Sequence, residues 1–268
     1  MIMQEGVVKM VFRALVRKEL LQMRWIIIIG LLFGAGLAVL VVATFHYLAG
    51  VVEEIPADLL EVLSVYEVAR ELLVIFGDYT IYIWSQWHAK NLYQVGALMA
   101  IIMAANQFAG EVSRRTIGFY LTRPVTRHQG FLAKVTAGSL AMLIMFGGGT
   151  VLIWAASVIT GNDADWGRLF IALVLSLIWL NAYYLFGCTV SVYNREPITA
   201  GVLIGLAGIV LSLPGLFAVS RQFSIFYQVR AVEFFIQGLS IWPSFFAGLA
   251  LNCLLLFVGL TVFDRKDF

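Results

Sequence analysis

The residue types that most often carry chemistry are few in this chain and lie far apart. The three histidines are isolated from one another and from the two cysteines, both of which lie in apolar runs: His46, His88, His128, Cys188 and Cys253. This spacing indicates neither a zinc site nor a disulfide framework. The sequence also lacks the G-x-x-x-x-G-K-[ST] phosphate loop and the H-E-x-x-H and G-x-S-x-G motifs. We therefore expect no catalysis, metal or cofactor in this chain.

A second set of polar residues lies inside apolar runs, where an amide or hydroxyl must find a hydrogen-bonding partner. Hydrogen bonding between helices explains such residues, and the alternative interpretation is that they line a water-filled substrate path. Several of them recur at intervals of three and four residues. The candidates for the path are Asn181, Tyr184, Cys188, Asn106 and Asn252.

The composition places the chain in a membrane. Of its 268 residues 61% are apolar and 13% are charged, whereas soluble domains carry about 25% charged residues. A soluble fold of this composition has too few charged groups to cover its surface, while a bilayer accepts an apolar exterior. The net charge of +2 is too small to indicate nucleic-acid binding.

Six apolar runs are near or above the ~20 residues that a spanning helix needs. They cover residues 25–48, 92–110, 131–159, 169–192, 199–219 and 245–263. The first run is longer than a signal peptide's apolar region and lacks a small-x-small cleavage pattern, so we expect it to remain as a span. The sequence thus predicts an all-α integral membrane protein, with one six-span domain over 25–268 after a separate helix over 1–24.

The charges predict the orientation. Most of the 18 Lys and Arg residues lie in the termini and the second and fourth loops, so these segments are expected on the cytoplasmic side. Both termini are then cytoplasmic. In the first outer loop, Pro56 and Asp58 begin a predicted amphipathic helix. The aromatic residues that follow it fit a belt at the membrane interface: Tyr79, Tyr82, Trp84 and Trp87.

The N-terminal segment 7–23 reads as an amphipathic helix on the cytoplasmic face. Lys9, Arg13 and Arg17 recur every four residues, and apolar residues occupy another side. Glu19 falls among the apolar positions, where it needs a cation or a protein partner. An anchor to anionic lipids, with Glu19 reaching water, is the alternative.

Two further signals mark where helices begin and end. Thr126 and Gln129 form a capping box at which the third span should begin. Pro124 ends any helix that continues from Thr116, which leaves a short helix in the basic loop 111–130. Beyond Pro214 the chain stays apolar but carries charges, so we expect a re-entrant or surface helix between the fifth and sixth spans.

The loop resembles the E-x-x-x-x-T…L-x-x-P-x-x-R…K signature of type-two ABC permeases, exporter subunits with the type V fold. The matching residues are Glu111, Thr116, Leu121, Pro124, Arg127 and Lys134. The family's usual Gly before the Thr is Arg115 here. The amphipathic N-terminal segment with Arg17, Lys18 and Glu19 and the short charged C-terminal tail are also similar to the family, so the resemblance reaches both ends of the chain.

The resemblance implies a non-catalytic permease subunit in the cell membrane, typically a prokaryotic plasma membrane. It also implies a homodimer of permeases that works with two separate ATPase chains, which hold the ATP and Mg. The loop would form a coupling helix in a groove of the ATPase, and the N-terminal helix would make a second contact. The residues implied in coupling are Glu111, Arg114, Arg115, Thr116, Pro124, Arg127, Lys134, Arg17, Lys18 and Glu19.

Two other function classes remain open. A secondary transporter or channel needs no ATPase, but ion-coupled carriers usually place an ionisable residue at mid-membrane, and none of the six runs has an Asp, Glu, Lys or Arg near its centre. The other class is a membrane enzyme, but the sequence lacks the groups of catalytic or metal-binding residues that such an enzyme requires. The substrate, whether a lipid, an amphipathic peptide or a drug, does not follow from the sequence.

Overall fold

The computed structural model describes residues 2–53, 56, 74–116 and 126–266. Within these residues the chain is helical, with no strand. Most of the amphipathic helix predicted after Pro56 lies outside the described residues, as do Leu121 and Pro124 of the loop.

The helices are numbered here in chain order. They are α1 (Ile2–Gln22), α2 (Arg24–Glu53), α3 (79–107), α4 (Ala109–Ser113), α5 (Arg127–Ile159), α6 (Trp166–Tyr193), α7 (Pro197–Ser212), α8 (Ile225–Val229), α9 (Val232–Phe235) and α10 (Trp242–Arg265). Helix α3 is continuous but changes winding, from α over Tyr79–Ile83 to π over Trp84–Leu92 and back to α over Tyr93–Gln107. A second π turn, Leu143–Gly147, lies inside α5.

Five of the described helices are long and apolar enough to cross a membrane. They are α2, α5, α6, α7 and α10, and they correspond to the first, third, fourth, fifth and sixth predicted runs. Their ends follow local chemistry. Thr126 and Gln129 form the predicted capping box at the start of α5, and the Asp165 side chain caps α6. Helix α7 ends at Ser212, just before Pro214, whereas the fifth predicted run extended to residue 219.

The first and third spans pack side by side in the same direction. A Cβ atom on Gly34 would lie 3.2 Å from Cα of Gly149, so the small residues of the Gly30-x-x-x-Gly34 spacing allow two helix backbones to approach closely. Helix α1 continues this alignment past Met23, whose amide still bonds the carbonyl of Glu19. It packs against the first turns of α5, while its placement on a membrane surface stays a prediction.

Helix α3 runs beside α5 in the opposite direction. The Tyr79 hydroxyl bonds Ser157 Oγ at 2.6 Å near one end, and Gln107 Nε2 donates to the Lys134 carbonyl at 2.8 Å near the other. The stretch of α5 between Lys134 and Ser157 is about 34 Å long at 1.5 Å per residue. The second predicted run began at residue 92, but the helix begins at Tyr79, because the Asp78 side chain caps it there.

The aromatic residues at the start of α3 are buried in helix packing, so the predicted interfacial belt is wrong. Tyr82 donates to the Val41 carbonyl of α2, Trp87 Nε1 to Thr150 Oγ1 of α5, and Trp84 Nε1 to the Arg230 carbonyl. Each polar atom has a partner inside the protein. These residues therefore need no membrane interface to satisfy their polar ends.

The segment between α7 and α10 folds back onto the bundle. Ser176 of α6 donates to the Val229 carbonyl at 2.6 Å, and Phe235 stacks on Trp84 of α3. Two short helices, α8 and α9, lie where the sequence predicted a re-entrant or surface helix. Their placement relative to a membrane stays a prediction.

Candidate functional site

Four charged side chains meet where α1, α4 and the start of α5 come together. Lys134 Nζ lies 2.7 Å from Glu111 Oε1 and 3.1 Å from Glu19 Oε2. Lys18 Nζ lies 2.9 Å from Glu19 Oε1 and 3.8 Å from Glu111 Oε1. We call these four residues the ion-pair cluster. It joins α1, α4 and α5, which are far apart in sequence.

The centre of the cluster is buried. Lys134 is 1% exposed and Glu19 is 3% exposed. A buried charge is tolerated when it is paired and hydrogen-bonded, and Lys134 balances the carboxylates on both sides. The sequence argument that Glu19 needs a cation or a partner is answered within the chain, by Lys134 and Lys18.

A cavity of about 600 Å³ opens beside the cluster. Lys18, Glu19 and Met23 of the α1–α2 junction line it, together with residues from the end of α3 and from α4. Arg114 and Thr116 form part of its wall and are exposed. The cavity therefore lies directly beneath the start of the basic loop.

The backbone at the end of α4 has a tight turn at the one position where the sequence departs from the family signature. The amide of Arg115 bonds the Val112 carbonyl, and that of Thr116 bonds the Glu111 carbonyl at 2.9 Å. This is the Schellman arrangement, whose turn residue takes the left-handed conformation that glycine prefers. Arg115 has φ of 56°, so an arginine occupies the position where the family usually has Gly.

Arg127 joins the other end of the loop to the last span. Its Nη1 donates to the carbonyl oxygens of Asp264 at 3.1 Å and of Lys266 at 3.0 Å. The neighbouring His128 Nε2 lies 2.9 Å from Asp264 Oδ2. A cation is favourable here because the last carbonyls of a helix lack partners within it.

The predicted coupling residues therefore divide into two groups. The inner group holds helices together and is largely buried or engaged within the chain: Glu19, Glu111, Lys134, Lys18 and Arg127. The outer group is exposed beside it: Arg17, Arg114, Arg115 and Thr116. Pro124 lies outside the described residues.

The predicted path residues are brought together only in part. Ser139 Oγ donates to Asn181 Oδ1 at 2.6 Å, and Asn181 Nδ2 donates to Asn252 Oδ1 at 2.7 Å. These bonds join α5, α6 and α10, as expected if the polar residues hold helices together. Tyr184 and Cys188 are fully buried. Asn106 is apart from them, exposed at the cavity and bonded to the Ile102 carbonyl.

Sequence reasoning missed two ionisable residues inside α3. His88 is fully buried, and neither ring nitrogen has a hydrogen-bond partner among the described residues. Lys90 is exposed on the other side of the helix. Both precede the predicted run, which was placed by apolar content alone. The absence of Gly and Pro from residue 79 to residue 95 is the signal that could have extended the helix back to Asp78.

The comparison with protein-family models gives a match over most of the chain. Residues 13–220 match the family model described as ABC-2 family transporter protein, which is more than half of the chain. The match includes the C-terminal half of α1, the residues that line the cavity, α2, α3 and the third to fifth spans. A search of curated proteins finds no match.

Proposed function

Because the chain belongs to the ABC-2 family of transporter proteins, we propose that it is the permease subunit of an ATP-driven exporter. The chain is a multi-pass membrane component of an ABC transporter. In the proposed transporter the permease is a homodimer in the cell membrane, and separate ATPase subunits hold ATP and Mg. The permease contributes the passage, and the ATPase contributes the chemistry.

The observation that carries this proposal is the ion-pair cluster. It lies beneath the exposed cations Arg114 and Arg115 and links three helices through Lys134. Separating Lys134 from either carboxylate leaves a buried charge uncompensated, which is strongly unfavourable. A push on the loop is therefore passed to α1 and α5 together. This is what a coupling element driven by a partner requires.

The proposed topology has six crossings, with α3 as the second. Helix α3 lies beside α5 for about 34 Å, which exceeds the ~30 Å hydrocarbon core. An even number of crossings puts both termini on the cytoplasmic side with the basic loop, in agreement with the charge distribution. The amphipathic α1 then contacts the lipids of that face, and α8 and α9 lie at the outer side.

Charge reversal tests the coupling assignment. The double variant Arg114→Glu/Arg115→Glu changes two exposed cations that take no part in the ion-pair cluster. We expect at least about a tenfold loss of co-purifying ATPase subunit, equivalent to about 1.4 kcal/mol, and a matching loss of ATP-driven transport. Arg195→Glu is the matched control, because Arg195 is exposed on another loop of the same predicted side. If the double variant keeps both partner and transport, these residues do not couple.

One observation favours a second candidate function, an ion-coupled carrier that needs no ATPase. His88 and Lys90 lie inside α3, and ionisable residues within spans mark proton and ion relays. Proteoliposomes that contain the permease alone, with an imposed proton or sodium gradient, separate the two functions. Uptake without an ATPase subunit supports the carrier, and uptake only with the ATPase and ATP supports the exporter.

A further inference from the structure

Lys90 lies far from both ends of the helix bundle, measured along its length. Three residues before it, Trp87 bonds Thr150 of α5. Two turns after it, Gly96 faces Leu180 of α6 and Phe146 of α5, since a Cβ on Gly96 would lie 2.7 Å from a Leu180 methyl. The level of Lys90 along the bundle is therefore between Phe146 and Thr150.

That level is the middle of the charge-free part of the bundle. Helix α5 and the turn after it carry no Asp, Glu, Lys or Arg from residue 135 to residue 162, and α6 carries none from 169 to its end. Thr150 lies about 14 Å along the helix axis from Ile159, the last residue of α5. A lysine has only four methylene groups, so it cannot carry its ammonium group over that distance to the headgroups.

No counter-ion for Lys90 is found in the part of the chain that the structure describes. There, the helices proposed as crossings carry carboxylates only near their ends, as with Asp264 of α10. A second copy of this chain has the same crossings, so a homodimer does not supply a mid-membrane carboxylate either. An exposed, unpaired ammonium group facing hydrocarbon is strongly unfavourable. This side of α3 must therefore face water.

The side of α3 that carries Lys90 has polar residues followed by apolar ones. After Lys90, the exposed residues recur at intervals of four: Gln94, Leu98 and Ile102. The opposite side, with Trp87 and His88, is buried against the bundle. The π turn over Trp84–Leu92 widens the helix at this point, and such turns are frequent at functional sites.

We propose that this side of α3 lines a water-filled passage and that Lys90 binds the anionic group of an amphipathic substrate. The ammonium group of Lys90 and the amide of Gln94 take a carboxylate or phosphate, and Leu98 and Ile102 take the apolar tail. This inference rests on the proposed function, because it names the substrate class of that transporter.

The first test measures water access directly and needs no ATPase. In a Cys253→Ala background, Lys90→Cys is reacted with a small charged thiosulfonate in proteoliposomes. The matched control is Leu254→Cys, an exposed apolar position of α10 expected to face lipid. Only a thiolate reacts, and it does not form in hydrocarbon. We expect Lys90→Cys to react at least about tenfold faster than the control. If the two cysteines react equally slowly, this side of α3 does not line a water-filled passage.

The second test measures substrate class with three amphiphiles of one tail: N-lauroylglycine, its methyl ester and lauroylcholine. We expect N-lauroylglycine to stimulate ATP hydrolysis by the reconstituted transporter most. Lys90→Gln should raise its half-stimulating concentration on the order of tenfold, through loss of one charge-assisted interaction, and Lys90→Arg should restore it. Lys90→Gln should retain the ATPase subunit as the wild type does, because Lys90 lies far from the ion-pair cluster along the bundle.

Failure of the proposed function and failure of the inference about Lys90 give different results. If the permease retains no ATPase subunit, the proposed function fails, while the accessibility result stands separately. If partner retention is intact but Lys90→Gln responds to all three amphiphiles as the wild type does, the anionic substrate class is overturned. A shift of equal size for the cationic amphiphile overturns it as well, because a merely structural role for Lys90 would act on all three.

Discussion

Lys134 is the residue on which the ion-pair cluster depends, because it contacts carboxylates from two different helices. Replacing it in Lys134→Met leaves the buried Glu19 and the partly buried Glu111 without their central cation. We expect a loss of about 3–5 kcal/mol in the free energy of unfolding. Denaturation of the purified chain in detergent, followed by circular dichroism, measures the loss.

The control for Lys134→Met is Arg13→Met, because Arg13 is exposed on α1 and a surface change of this kind falls within about 0.5 kcal/mol. A triple variant, Lys134→Met with Glu19→Gln and Glu111→Gln, removes all the buried charge at the centre. It should recover much of the loss, since an uncharged set of similar volume is often as stable as a buried ion pair. A triple variant less stable than Lys134→Met contradicts this explanation.

Arg115 separates conformation from charge in the loop. Its φ of 56° is unfavourable for a residue with a Cβ, by about 1 kcal/mol. Arg115→Gly should therefore raise the free energy of unfolding by roughly that amount. Arg115→Ala removes the same charge and retains the strain, so it is the matched control. If Arg115→Gly is no more stable than Arg115→Ala, the left-handed conformation is not the reason for the family's glycine.

At the scale of helices, the contact between the first and third spans depends on Gly34. Its missing Cβ leaves 3.2 Å to a backbone atom of Gly149, which cannot move aside as a side chain can. Gly34→Leu should force the helices apart and lower the unfolding free energy by about 1–3 kcal/mol. Gly36→Leu, two residues along, meets nothing within 4 Å and should be neutral. Detergent unfolding of the two variants side by side gives the answer.

The two helices that flank the cavity show what apolar patterning can predict. The start of helix α5 was predicted from its capping box, which is a local signal, and no charged residue interrupts the helix after Lys134. Helix α3 was predicted only in its second half. Its first half contains polar and aromatic residues whose polar atoms find hydrogen-bonding partners only in the folded chain, as Trp87 does with Thr150. Their apolar content alone therefore does not mark a helix.

The candidate site follows the same division. The need of Glu19 for a cation was predictable, because a carboxylate on an apolar helix side requires a partner. That the partner is Lys134 was not, since the two are brought together by the packing of α1 on α5. Likewise Arg127 was predicted as a coupling residue from a resemblance, and only the folded chain shows it bonded to carbonyls at the end of α10.

At the scale of the whole molecule, α5 is the element that the others share. Helices α1 and α2 pack along one side of it in parallel, α3 packs against it in the opposite direction, and α6 and α10 also contact it. The ion-pair cluster and the Arg127 bonds both lie in its first two turns. A force applied to the basic loop therefore reaches α1 and α10 through the start of α5.

The number of crossings decides whether this arrangement faces a cytoplasmic partner. In a Cys253→Ala background, single cysteines replace Arg13 in α1, Asn162 after α5, Arg195 after α6 and Gly238 before α10, all exposed or partly exposed. With α3 as a crossing, an impermeant thiol reagent on intact cells should label the Asn162 and Gly238 sites, and the Arg13 and Arg195 sites only after permeabilisation. If α3 does not cross, the Arg13 and Arg195 sites lie on opposite sides. The relative labelling of these two sites thus separates six crossings from five without any assumption about which side is which.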